Sequence, residues 1–408
     1  MTTRLLWRAR FAASSSPSSV ADANIIGVSA LRALSCAIAI PLPTIVSFWQ
    51  SHGMSYSEIM WLEAFFAFCC LLFEVPGGYL ADHFARKQLL TTGGAFVLAG
   101  IVVYLFGENF TEFLAAELIL AIGFCCISGA DEAVLYDSLA NNEKAHLFSR
   151  YWSRALSSEL AAGSFGFVIG GLVAASYGVA APFYAAALVQ CLYIGVSLFL
   201  VEPKRTREQS SDGHLQEILS CGKEVLIENQ NSRWLILVTA VVFSFSQAGF
   251  WLYQPYFKEV GVPLGYNGFI LATLGLGASY FAIKIPKLEK RFGFRPTLLT
   301  LVGLSSTVFF CLGVFQSTWV LPLLFIHQGV RAFQRVVLSE RLHRHVNSDR
   351  RATSVSVKNI VAEGSYALLM FGVGPLVDLL GVSNTLLGLG LGFLLVTMLV
   401  HAPLYLRR

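Results

Sequence analysis

Ionisable residues recur inside stretches of this chain that are otherwise almost wholly apolar. Arg32, Glu63, Glu74, Asp131, Glu132, Arg154 and Glu159 fall in its first half, and His327, Arg331, Arg335, Lys358 and Glu363 in its second. Such a group inside a bilayer costs at least about 2.5–3.5 kcal/mol, so it requires a partner, water or a function. The chemistry open to these residues is ion pairing, reversible proton binding and recognition of a charged solute.

Spacing sharpens the assignment. His327, Arg331 and Arg335 recur every four residues, which predicts one polar stripe able to meet an anionic part of a solute. Arg150, Arg154 and Ser158 repeat the pattern earlier in the chain. At a rise of about 1.5 Å per residue, Glu159 and Glu363 are expected near mid-membrane, at corresponding depths of the two halves. They are the leading candidates for proton carriers, because a partly desolvated carboxyl can load at one face and unload at the other. Asp131 and Glu132 are expected to pair with Arg32 and Arg154 in a buried network, which either serves coupling or holds helices in register. Gln247, Trp251 and Gln254 share a helix face, with Tyr253 and Tyr256 nearby. They could wall a cavity for an organic solute, although membrane aromatics also serve as packing and interfacial anchors.

The elements that must position these groups are transmembrane helices. Of 408 residues, 55% are hydrophobic and 13% are charged, against about 25% charged in an average soluble domain. Apolar runs of roughly 20 residues, enough to cross the hydrocarbon, recur from Ile25 nearly to the end of the chain. The predicted spans are 24–50, 56–82, 86–107, 111–140, 147–175, 178–202, 232–258, 264–289, 294–315, 317–345, 350–380 and 382–406. Helices are required because lipid offers no partner to a free backbone group, and the short alternating strands of a barrel are not seen.

Basic residues set the orientation. Arg4, Arg8 and Arg10, then Arg86, Lys87, Lys144, Lys204, Arg205 and Arg207, fall on one set of alternating loops. Lys287, Lys290, Arg291, Arg295, Arg341, Arg344, Arg350, Arg351, Arg407 and Arg408 continue the series, with Lys258 alone on the other side. Both termini are therefore predicted to be cytoplasmic. The asymmetry accounts for the net charge of +4 without a nucleic-acid partner. Residues 1–20 are basic and then Ser-rich, without the apolar core of a signal peptide, and read as a disordered cytoplasmic tail. The eight cysteines lie almost wholly in apolar runs, as packing residues rather than disulfides or metal ligands.

A charged and polar stretch at 203–231 reads as a linker between a bundle at 21–202 and another at 232–408. Weak internal repetition agrees with that division. Asp137 to Val179 and Glu340 to Val382 run in step, with Gly171 matching Gly374. The expected fold is an all-α membrane protein of twelve transmembrane helices in two pseudo-symmetric six-helix bundles.

Between the second and third spans the chain reads Gly78-Tyr-Leu-Ala-Asp82-His-Phe-Ala-Arg86-Lys87. This loop resembles the signature of the major facilitator superfamily, with His83 and Ala85 departing from the pattern. The resemblance implies that Asp82 and Arg86 bind across to the neighbouring bundle near the eleventh span and stabilise an outward-facing state; a merely topogenic role is the alternative. In the fifth span, Gly166-Phe-Val-Ile-Gly170-Gly171 resembles the family's antiporter motif, with Phe167 where Pro usually stands. Small residues at this spacing let helices approach closely. The family's arginine-bearing motif is missing from the fourth span, and Glu117 lies near its place.

The resemblance implies a proton-coupled secondary transporter that moves a small organic solute across a bacterial-type inner membrane by alternating access, with Na⁺ left open as coupling ion. An efflux antiporter of drug-like compounds or metabolites is favoured over an uptake symporter for an organic anion such as a siderophore or carboxylate. A membrane-embedded enzyme or a non-transporting receptor ranks lower. The chain has no H-E-x-x-H pair, no G-x-x-x-x-G-K loop and no soluble catalytic domain. A monomer is expected, with neither cofactor nor metal.

Overall fold

Pro41 and Pro43 cannot donate to a helix ladder, and the first predicted span breaks there. It comprises α1 (Pro17–Leu34), two short 3-10 turns and α2 (Ile45–Ser51). The computed structural model describes residues 17–204, 220–345 and 351–401; side chains at 17–20, 74–76, 78–83, 343–345, 351–352 and 401 fall outside the described set. Among the described residues there is no strand.

The first half continues with α3 (Tyr56–His83), α4 (Arg86–Phe106), α5 (Phe110–Ile127), α6 (Ala130–Ala140), α7 (Phe148–Tyr177) and α8 (Ala181–Phe199). Gly129, at φ 75°, separates α5 from α6 inside what the sequence predicts as one span. The left-handed conformation suits glycine, and the break sets Asp131 in the first turn of a new helix.

The second half contains α9 (Gln230–Glu259), α10 (Leu264–Phe292) and α11 (Phe294–Phe315). Next come a 3-10 turn, α12 (Leu324–Phe333), a π turn at Gln334–Leu338 and α13 (Ser339–His345), followed by α14 (Arg351–Leu380) and α15 (Val382–His401). Among the described residues, eleven helical stretches are long and apolar enough to cross a membrane, and the broken run at 317–345 is the predicted span not among them. Its wider π turn starts between Arg331 and Arg335 and offsets the four-residue repeat there.

Among the described residues, the most extensive helix packing between the halves is that of α3 along α14 and of α7 along α10. The first pair is antiparallel, since Tyr56 at the start of α3 meets Asp378 near the end of α14, while Leu71 lies beside Gly364. At the second pair, a Cβ on Gly171 would sit 2.8 Å from the Gly265 carbonyl, and one on Gly268 would overlap the Phe167 carbonyl. Only hydrogen at these positions permits so close a crossing.

Hydrogen bonds between the halves cluster at the Tyr56 end. Gln254 donates to the Leu42 carbonyl at 2.9 Å and accepts from the Val46 N–H at 3.2 Å. Asn267 donates to the Pro43 carbonyl at 3.2 Å, and Lys258 to Gln50 at 2.9 Å. A pocket of about 490 Å³ opens beside them, lined in part by Ser47, Gln50, Lys258 and Asn267.

The chain leaving the first half is fastened to it. Asn24, fully buried on α1, donates to the Val201 carbonyl at 2.8 Å and accepts from the Val201 N–H at 3.0 Å. It also reaches Ser138 on α6 at 2.8 Å. Glu202 accepts from the N–H groups of Arg86 and Lys87 at 2.9 and 2.8 Å, capping α4.

Candidate functional site

α3 places Glu63 on its buried face, and α5 places Glu117 beside it; the two are 7% and 5% exposed. By helical rise Glu63 lies about 10 Å in from Tyr56. The Tyr104 hydroxyl on α4 donates to the Glu117 carboxylate. Glu363, from α14 of the other half, lies within electrostatic range of Glu63, and Tyr366 within range of all three carboxyls. Among the described residues no Lys, Arg or His forms an ion pair or hydrogen bond with Glu63 or Glu117. The Tyr366 hydroxyl and the Trp49 indole N–H are buried alongside.

Aromatic rings close this cluster. Trp49 stands 6.2 Å from Tyr104 and 6.0 Å from Trp251, which reaches in from α9. Tyr104 also stacks on Phe113 and Phe183 at 5.3 and 5.2 Å. Glu63 and Glu117 therefore sit together in an apolar, aromatic setting with Glu363 of the other half in electrostatic range, and an uncompensated charge on the buried pair is expensive unless a bound proton or cation removes that cost.

A second polar network lies within the first half. Arg32 forms ion pairs with Asp131 on α6 and, at 3.0 Å, with Glu159 on α7, while its guanidinium lies 4.6 Å over Trp152. The expected pairing of Arg32 with Asp131 is present. Arg154 instead points away and covers the Tyr151 ring at 5.8 Å, and the Glu132 side chain is exposed at the start of α6. Glu159, expected as a proton carrier, is in this conformation the second acidic partner of Arg32.

The stripe on the tenth span is split among different environments. His327 is buried, with one ring nitrogen 2.8 Å from the Tyr253 hydroxyl and the other 3.1 Å from the Ser305 carbonyl. Arg331 donates to Gln247 at 2.9 Å and lies over Phe250, whereas Arg335 is exposed. Of the expected cavity wall, Trp251 adjoins the acidic cluster and Gln247 holds Arg331.

In the loop signature, Arg86 ion-pairs with Asp137 and donates to the Ala133 carbonyl at 3.0 Å, both on α6 of its own half. Lys87 contributes its N–H to Glu202. Gly78 and the side chain of Asp82 fall outside the described set. Gly166 and Gly170 of the fifth-span motif pack against backbone of the α1–α2 connection, and Gly171 against α10.

The sequence signature of the Major Facilitator Superfamily matches residues 25–365. This chain belongs to the major facilitator superfamily. It is a multi-pass membrane transporter, not an enzyme, and carriers of this superfamily move small solutes across membranes. The superfamily member YxaM of Bacillus subtilis (strain 168), an uncharacterized MFS-type transporter, is 23% identical over 93% of each chain. Multidrug resistance protein 2 of the same organism is 24% identical over 42% of each. The MFS transporter L2 of Phoma sp. is 29% identical over 32% of this chain but only 21% of its own length. Among solved structures, the nucleoside transporter NupG superposes with a TM-score of 0.75 at 11% identity, over 94% of this chain and 98% of that one. The superfamily fold is thus shared, with its substrate sites free to differ.

Glu63 and Glu117 are the site residues to which spacing assigned no role. The signal for Glu117 is its isolation: it is the one Asp, Glu, Lys, Arg or His between Phe113 and Ile127.

Proposed function

We propose that this chain is a proton-coupled secondary transporter that expels a small organic solute by alternating access, with Glu63, Glu117 and Glu363 as its coupling carboxyls. The observation that carries the reading is the buried pair Glu63 on α3 and Glu117 on α5, without a cationic partner among the described residues and within electrostatic range of Glu363 on α14 of the other half. A proton bound there changes the charge at the face along which the halves move, so protonation and movement become linked. The Arg32–Asp131–Glu159 network serves as a second, exchangeable ion-pair site, with Glu159 able to trade Arg32 for a proton or a cationic solute. Bundles at 21–202 and 232–408 are the moving bodies, and residues 203–231 link them.

With the basic loops and both termini at the cytoplasmic side, the Tyr56 end faces outward and is an end at which hydrogen bonds hold the halves together. The relation to a multidrug resistance protein supports efflux. So does the use of His327 and Arg331 for contacts inside the second half, which leaves fewer cations for an organic anion. A bacterial-type inner membrane and a monomeric working unit complete the reading.

The test is a solute screen on vesicles reconstituted with the full-length chain, under an imposed pH gradient and separately under a Na⁺ gradient. Proton-driven flux is expected in the parent and is expected to be lost in Glu63→Gln and Glu117→Gln, with solute counterflow retained. Flux driven by Na⁺ alone, or undiminished proton-driven flux in both variants, rejects the assignment.

A further inference from the structure

The start of α3 can be accounted for donor by donor. An α-helix leaves its first four N–H groups without a partner inside the helix. Ser55 and Glu58 form a reciprocal cap: the Glu58 N–H donates to Ser55 Oγ at 3.2 Å, and the Ser55 N–H to the Glu58 carboxylate at 2.9 Å. The Ile59 N–H reaches the Ser55 carbonyl at 3.1 Å. The N–H groups of Tyr56 and Ser57 remain.

One carboxylate from the other half takes both. Asp378 accepts from the Tyr56 N–H at 3.0 Å through one oxygen and from the Ser57 N–H at 2.8 Å through the other, and also from the Ser57 hydroxyl. The approach depends on a bare backbone one turn earlier on α14. A Cβ on Gly374 would lie 2.6 Å from Ser57 Cα and 2.9 Å from the Tyr56 carbonyl. Trp61 adds a bond to the Phe371 carbonyl at 3.3 Å, two turns along the same face.

We propose that Asp378 is a positioning residue of the transport cycle, latching the Tyr56 end shut by completing the α3 cap from the opposite half. The contact is charge-assisted and lies at the positive end of the helix dipole, so it favours closure. It is also exposed, and water can replace it when the halves part, so it biases the equilibrium without trapping it. Asp82 holds the corresponding sequence position near the end of α3, at the opposite end of the same antiparallel helix pair. The loop signature contains Asp82 and does not contain Asp378, so the latch is invisible to that motif.

The test uses the full-length chain in detergent with its native cysteines replaced. Thr44→Cys, at a fully buried position of the Tyr56 end, reports opening through its rate of reaction with a maleimide. Asp378→Asn leaves a single acceptor oxygen for two N–H donors and is expected to raise that rate about tenfold, equivalent to about 1.4 kcal/mol. Ser57→Ala removes only the hydroxyl contact and is expected to raise it less. The double variant should fall short of the product of the two effects, because both act on one contact. Glu58→Gln alters the local cap without touching Asp378 and is expected to leave the rate unchanged. Parental labelling in folded Asp378→Asn and Ser57→Ala, or equal acceleration by Glu58→Gln, overturns the latch. Should Asp378→Asn fail to fold, the milder Ser57→Ala decides alone.

Discussion

The Tyr104 hydroxyl donates to the Glu117 carboxylate, tying α4 to α5 within the aromatic cluster that also holds Trp49 and Phe183. Tyr104→Phe keeps the ring stack and removes only the donor. Leaving a buried acceptor without its partner costs about 1–3 kcal/mol. The variant is therefore expected to melt several degrees lower in detergent and to lose proton-driven flux, while an aromatic substitution at exposed Tyr184 should change neither.

Arg32 serves two carboxylates of unequal burial, which predicts an unequal response. The Asp131 side chain is 4% exposed and that of Glu159 is 36%. Arg32→Met strands the buried Asp131 and is expected to destabilise by about 3–5 kcal/mol. Glu159→Gln loses a partly solvated pair and is expected to cost less than about 1 kcal/mol. Thermal unfolding in detergent ranks the two, and a restored melting temperature in Arg32→Met with Asp131→Asn would confirm that the stranded charge is the cause.

His327 has both ring nitrogens engaged inside the second half. His327→Phe is expected to lower stability by about 1–3 kcal/mol by leaving the Tyr253 hydroxyl and the Ser305 carbonyl unsatisfied. The order of preference among anionic and neutral solutes should stay as in the parent. A reversal of that order, measured by competition in vesicles, would return His327 to the substrate site.

The α7–α10 crossing depends on Gly268. A larger residue there meets the Phe167 carbonyl, and overpacking of this kind costs typically about 1–3 kcal/mol. Gly268→Leu is expected to hold the Tyr56 end apart, seen as a longer and broader distance between spin labels at positions 50 and 258. Transport should fall, while the folded fraction by size-exclusion chromatography remains.

Much of this molecule was legible in the sequence because hydropathy and loop charge depend on local composition alone. Spans such as 147–175 and 264–289 lie within two or three residues of α7 and α10. The Arg32–Asp131 pair was also legible, since two opposite charges in apolar runs have few alternatives. Spacing on one helix gives depth, but it does not say which neighbour a side chain faces. For that reason the sequence marks Glu159 as a proton carrier without giving its bond to Arg32, and it pairs Arg154 with carboxylates where the structure sets it over Tyr151. The four-residue repeat from His327 to Arg335 assumed an unbroken α-helix, and the π turn at Gln334–Leu338 offsets it. Glu63 and Glu117 come together only through the packing of α3 against α5, a contact between segments far apart in the sequence.

Asn24 grips Val201 from both sides, Glu202 grips the start of α4, and Asn141 holds the Lys204 carbonyl at 2.9 Å. These ties place the mechanical end of the first half at Lys204, upstream of the polar connection. A polypeptide supplied as two fragments, divided between residues 205 and 219, should accordingly reassemble into a working carrier, because each piece keeps its own fastenings and the α3–α14 and α7–α10 seams bring them together.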